Sequence, residues 1–164
     1  MSLAKRRPAA AAAQLTLRDF VPYRIAVLAR GVSASLGKKY RDLGITIPEW
    51  RLIAHLAEVG LCSSGEICAR TSMDKAMVNR AVTRLVAAGL VLAGTSGQDR
   101  RVNVLKLTPR GQKIYERIVP LALDHEKSLL DPLSATELKE LVRILGKLQS
   151  QVDRLWAPSG SDDE

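Results

Sequence analysis

Apolar residues between Leu17 and Asp42 fall at Phe20, Tyr23, Val27, Leu28, Val32, Leu36 and Tyr40. Steps of three and four place them on one face, so the spacing predicts an amphipathic helix. Pro22 sits near its start, where a missing amide costs least, and Gly44 ends it. Pro48 opens a second helix, with Trp50, Ile53, Ala54 and Ala57 on its buried face and Gly60 as its stop. Ser63 followed by Glu66 has the spacing of a capping box and starts a short third helix through Ile67, Cys68 and Ala69.

The stretch Thr71 to Asp74 reads as a turn that supplies the N-cap of a fourth helix, from Asp74 to Ala88, closed by Gly89. Met77, Val78, Ala81, Val82 and Leu85 share its inner face. Lys75, Asn79 and Thr83 form one outer row, and Ala76, Arg80 and Arg84 form the row beside it. Leu90 to Ala93 and Arg101 to Leu107 read as two strands of a hairpin joined by a flexible turn, Gly94 to Gln98. Thr108 caps a fifth helix with Pro109 at its first position and an expected kink at Pro120.

Asp131 and Pro132 interrupt the chain, and Ser134 with Glu137 repeats the capping-box spacing to open a last helix. Leu138, Leu141, Leu145, Leu148, Val152 and Leu155 then alternate steps of three and four, as a coiled-coil seam does. The seam asks for a partner helix, and two long amphipathic helices without a third layer favour a second copy of the chain. Residues 1–16 read as a disordered basic tail, residues 17–157 as one domain, and residues 158–164 as a disordered acidic tail.

Composition narrows the picture. Within 164 residues, 46% are hydrophobic but only 4% aromatic, which suits an aliphatic, helical core. The net charge of +8 points to an anionic partner. No apolar run is long enough to span a bilayer, and the short Ala9 to Ala13 run lacks the pattern of an export signal. Two cysteines, Cys62 and Cys68, make no disulfide framework, and His55 and His125 lack a local cluster of further ligands, so no metal or cofactor is expected. A cytoplasmic protein without a membrane partner is the expectation.

Two helices joined by a tight turn and followed by a basic hairpin form a winged helix-turn-helix, with the second helix destined for a major groove. Basic residues crowd this module: between Ser64 and Lys113 nine of them face only the acids Glu66, Asp74 and Asp99. Asn79 suits bidentate reading of adenine and Arg80 of guanine. Lys75, Arg84 and the region of Ser64 suit phosphates, and Ala76 and Thr83 complete the outer face.

The run Gln98, Asp99, Arg100, Arg101, followed by Leu107, Thr108, Pro109, Arg110, Gly111 and preceded by Arg84, Leu85, Gly89 and Leu90, resembles the MarR family of bacterial transcription regulators. The resemblance spans roughly Phe20 to Leu155. It implies a mainly α fold with a small β-hairpin wing. A winged helix-turn-helix module at 45–111 would be flanked by dimerisation helices at 17–44 and 109–156, and the protein would be a homodimer on double-stranded DNA. By position, Arg100 is the wing arginine that enters the minor groove, and the resemblance implies that Asp99 holds it or a neighbour in place. Guanidinium suits that narrow, negative groove. Ala93 departs from the pattern, since the family often has an arginine there.

Phe20 to Arg24 and Ile47 to Arg51 are similar to a branch of these regulators that responds to aromatic acids or their coenzyme A thioesters. The resemblance implies a cleft lined by Tyr23, Arg24, Trp50 and His55, and an arginine at the mouth of an apolar cleft suits such an effector. Two other readings compete. The first is an effector-independent architectural DNA-binding protein, and the second a thiol-based oxidant sensor using Cys62 or Cys68. An enzyme is not expected, because no nucleophile and base, carboxylate dyad or phosphate-cradling loop is present.

Overall fold

The computed structural model describes residues 15–71, 73–95 and 103–156. Both tails, most of the wing tip with Asp99, Arg100 and Arg101, and the start of the expected second wing strand lie outside the described residues. The elements are α1 (Val21–Lys39), a 3-10 turn (Arg41–Leu43), α2 (Ile47–Val59), β1 (Leu61–Ser63), α3 (Ser64–Arg70) and α4 (Lys75–Ala87). They continue with β2 (Val91–Thr95), β3 (Asn103–Leu107), α5 (Pro109–Leu130) and α6 (Ala135–Trp156).

The architecture is mainly α with one small antiparallel sheet in the order β1-β3-β2. Strand β1 was not expected, and Cys62, read as a turn residue, lies within it opposite Leu105. Three residues are too few for a visible alternation of apolar and polar positions, so only the pairing with β3 reveals the strand. Strand β2 also runs further than expected, since Gly94 and Thr95, read as turn, pair with Val104 and Asn103.

Helix starts and stops follow local chemistry. The Ser63 hydroxyl accepts from the Glu66 amide at 3.2 Å while the Glu66 carboxylate accepts from the Ser63 amide at 2.7 Å. Ser134 and Glu137 repeat the exchange. At the end of α4, Gly89 adopts a left-handed φ of 67°, and the amides of Gly89 and Leu90 donate to Val86 and Leu85 carbonyls at 2.9 Å. This paired closure consumes two carbonyls that the helix end would otherwise leave unsatisfied. Helix α1 starts at Val21 rather than Leu17, with Pro22 in its first turn. Helix α5 continues through Pro120, at the cost of the one bond that proline cannot donate.

The core lies between α2, α3, α4, the sheet and the first half of α5. Leu52, Ile53, Leu56, Ile67, Val78, Leu85, Leu105 and Ile118 are almost wholly buried there, each contributing about 1.5–3 kcal/mol through loss of apolar surface. Along α2 the buried residues are Glu49, Leu52, Ile53 and Leu56, whereas Trp50, Ala54 and Ala57 of the expected face are half-buried. The helix is packed on more than one side, so its buried arc is wider than a single stripe.

Helices α1 and α6 contribute no buried residue. Phe20, Tyr23, Val27 and Leu28 are exposed in the single chain, as are Leu145, Leu148, Val152 and Leu155, with Leu138 and Leu141 half-buried. Val32, Leu36, Leu129, Leu138, Leu141 and Leu145 line an open, mostly apolar groove of about 1080 Å³ between α1, α5 and α6. Apolar patches of this extent mark interaction surfaces.

Candidate nucleic-acid interface

Helix α4 is aimed by the turn before it. The Thr71 hydroxyl donates to the Ile67 carbonyl at 2.6 Å, and the Asp74 carboxylate accepts from the Met77 amide at 2.6 Å. Met73 between them is 4% exposed, so the turn is pinned into the core by an apolar side chain. Val78, Ala81 and Leu85 bury one face of α4, with Met77 and Val82 half-buried at its edges. Lys75, Ala76, Asn79, Arg80, Thr83 and Arg84 are all exposed on the other. The Thr83 hydroxyl donates to the Asn79 carbonyl at 2.9 Å, so its oxygen keeps lone pairs with which to accept.

Ser64, Asn79 and Thr83 meet at one hollow of about 560 Å³, whose far wall is Ala93 and Gly94 of β2 with Leu105 of β3. The hollow is therefore bounded by α3, α4 and the wing together. Ala93 sits opposite Leu105 and is exposed, so the small side chain keeps this wall low. The wing sheet is tied to α5 by the Thr108 hydroxyl, which donates to the Gly89 carbonyl at 2.8 Å and accepts from the Gly111 amide at 2.9 Å.

Arg84 is held from below by an ion pair to α2. Its Nε lies 2.8 Å from the carboxylate of Glu49, a residue only 3% exposed, while the Arg84 side chain itself is 65% exposed. The other carboxylate oxygen of Glu49 accepts from the Thr46 amide at 2.7 Å. Nothing local in the sequence marks Glu49 as part of this surface. The Thr46 to Glu49 spacing of a capping box was the available signal, but it does not reveal the long-range partner.

The four residues expected to form a ligand cleft are not brought together within one chain. Trp50 and His55 line a cleft of about 420 Å³ with Arg51, Glu58, Arg70 and Thr71. Tyr23 and Arg24 are not among its lining residues and are exposed on α1. The arginines at this cleft are therefore Arg51 and Arg70, brought there by α2 and the end of α3. Arg51 also donates to the Ser33 hydroxyl of α1 at 3.1 Å. Trp50 is held as a packing residue, stacked on Tyr115 at 5.9 Å and 17°, and tilted against Tyr40 at 5.9 Å. His55 Nε2 is buried and has no hydrogen-bond partner among the described residues.

Cys62 is 5% exposed, and burial, with Glu66 adding to it and Arg70 opposing, pushes its thiol above the ordinary value. A thiol so placed is a poor nucleophile. No helix among the described residues is long and apolar enough to cross a membrane.

Residues 43–102 match the sequence profile of the MarR family. The chain is 30% identical over 132 residues to the HTH-type transcriptional repressor Rv2887 of Mycobacterium tuberculosis, covering 80% of this chain and 92% of that protein. In fold it is similar to a MarR/EmrR family transcriptional regulator from Acinetobacter sp. ADP1, with a TM-score of 0.78, 29% identity, and coverage of 85% of this chain and 99% of the other. The fold also matches Bordetella bronchiseptica BpsR, whose DNA binding is regulated by 6-hydroxynicotinic acid, at a TM-score of 0.76, 24% identity, and 84% and 98% coverage. A helix-turn-helix with an exposed polar outer face, a wing sheet beside it and this extent of shared sequence have one meaning: the chain belongs to the MarR family of DNA-binding transcription regulators.

Proposed function

We propose that the protein is a homodimeric, ligand-responsive repressor that binds a pseudo-palindromic operator with half-sites about one helical turn apart. The observation that carries this reading is the two-faced α4, with Val78, Ala81 and Leu85 buried and Lys75, Asn79, Arg80 and Thr83 exposed on the opposite side. In this reading α4 enters the major groove, with Asn79 and Arg80 reading base edges and Ala76 and Thr83 packed against them. Ser64, Lys75 and Arg84 hold phosphates. Arg100, with Asp99 and Arg101, serves the minor groove from the wing tip.

A second copy covers the apolar faces of α1 and α6, including the Leu138 to Leu155 seam. The effector is a small aromatic acid or its coenzyme A thioester, taken up beside Trp50 and His55, where Arg51 and Arg70 supply positive charge for a carboxylate. The aromatic acid that regulates BpsR is of the same chemical class. Tyr23 and Arg24 join the site if dimerisation folds the exposed half of α1 over it. Effector binding releases DNA by favouring a spacing of the two α4 helices that no longer fits successive grooves. Such a regulator works in the cytoplasm, where its operator is.

Selection from a randomised duplex pool, followed by anisotropy titration of the winning sequence, tests the core of this reading. Affinity at least about a thousandfold above that for random duplex at matched salt is expected. Comparable affinities would instead mark an architectural protein. Aromatic acids and their thioesters are then screened by melting temperature, since a tight ligand stabilises by mass action. A ligand that binds to saturation and leaves operator affinity unchanged would sink the release mechanism.

A further inference from the structure

Among the described residues Glu49 is the only charged side chain that is buried. A carboxylate removed from water is costly unless its oxygens are satisfied. Here both are, one by the Thr46 amide at 2.7 Å and one by Arg84 Nε at 2.8 Å. Helix capping does not require the burial. Glu66 and Glu137 do the same capping work from exposed positions. What burial adds is a fixed anchor under α4, and the group it anchors is an arginine on the outer row that also carries Ala76 and Arg80.

We infer that Glu49 is a positioning residue for DNA binding: it grips Arg84 by the Nε edge and so presents the rest of an exposed guanidinium, already oriented, to a phosphate beside α4. The chemistry favours this division of labour. A guanidinium is a planar fork with donors on more than one edge, so one edge can be held by a carboxylate while another meets an anion. An arginine ordered before DNA arrives has less rotamer freedom to lose on binding. Glu49 itself, 3% exposed, cannot touch the duplex.

The inference rests on the reading of α4 as the DNA-contacting helix, and the test separates the two. Operator affinity is measured by anisotropy across a salt series for the full-length wild type, Glu49→Gln, Arg84→Ala, Arg84→Lys and the Glu49→Gln/Arg84→Ala double variant. Melting temperature and sedimentation establish that each is folded. Glu49→Gln keeps the volume and an acceptor for Thr46 while making the protein one charge more positive. Simple charge counting therefore expects tighter binding. Positioning expects the opposite, a loss of about tenfold, with the salt slope falling by up to about one counterion.

Glu49→Gln should cost nothing further once Arg84 is alanine. Arg84→Lys should bind more weakly than wild type yet more tightly than Arg84→Ala, because an ammonium can meet the phosphate but has no second edge for the carboxylate to hold. That variant leaves the buried carboxylate in place if Glu49→Gln folds poorly. Glu49→Gln binding as well as or better than wild type, or losing as much affinity in the alanine background, would overturn the inference while α4 contact stands. Arg84→Ala with wild-type affinity would remove the phosphate role of Arg84 and the inference together.

Discussion

Gly111 in the first turn of α5 packs directly beneath the carbonyl of Leu90. A Cβ at Gly111 would collide with the Leu90 oxygen and lie only 3.0 Å from its carbon. The same Leu90 oxygen accepts from the Thr108 amide at 3.0 Å. The glycine thus lets the start of the wing and the start of α5 share one junction. Gly111→Ala should destabilise the fold by about 1–3 kcal/mol, because backbone rather than a flexible side chain must move. Urea unfolding checks this, and an unchanged midpoint would show that the junction yields easily.

The uncovered face of α6 makes a prediction about assembly. Leu145→Asp places a charge in the middle of the proposed seam, at a position 51% exposed in the single chain. The monomer core should survive, since no residue of α6 is buried within it. Sedimentation velocity should therefore report a folded monomer with greatly weakened operator binding, as one module loses its second half-site. A variant that remains dimeric would place the interface elsewhere.

Acid should loosen the helix starts. The backbone amide of Ser63 and then its hydroxyl hold the Glu66 carboxyl below its ordinary value of 4.5, and the Ser134 hydroxyl and then its amide do so for Glu137. A carboxyl whose folded value is depressed contributes stability that is present above the unfolded value and lost as pH falls through the folded one. Thermal melts of the wild type should therefore drop progressively below about pH 4.5. The Glu66→Gln/Glu137→Gln variant should show a shallower drop over that range. Parallel pH profiles would assign the acid sensitivity to other groups.

Cysteine chemistry gives a contrast between two thiols of one chain. Burial raises the Cys62 thiol, whereas Cys68 is half-buried on α3. Iodoacetamide with peptide mass analysis should label Cys68 first in the native protein and Cys62 only on unfolding. Rapid native labelling of Cys62, accompanied by loss of DNA binding, would favour an oxidant-sensing regulator instead.

Much of this protein is written locally. The capping pairs Ser63 with Glu66 and Ser134 with Glu137, the stop at Gly89 and the two faces of α4 depend on residues within a turn or two of one another. Helical periodicity and capping act at that range, so the helix order and the outer face from Lys75 to Arg84 are legible from residue spacing alone. What it could not determine involves partners distant along the chain. Strand β1 exists only because Cys62 finds Leu105, and Glu49 reaches Arg84 across two intervening elements. The cleft beside Trp50 takes Arg51 and Arg70 rather than Tyr23 and Arg24, because α2 and the end of α3, not α1, supply its walls. Side-chain type and spacing fix which face of a helix is apolar; only tertiary structure decides which faces meet and which charge is left inside.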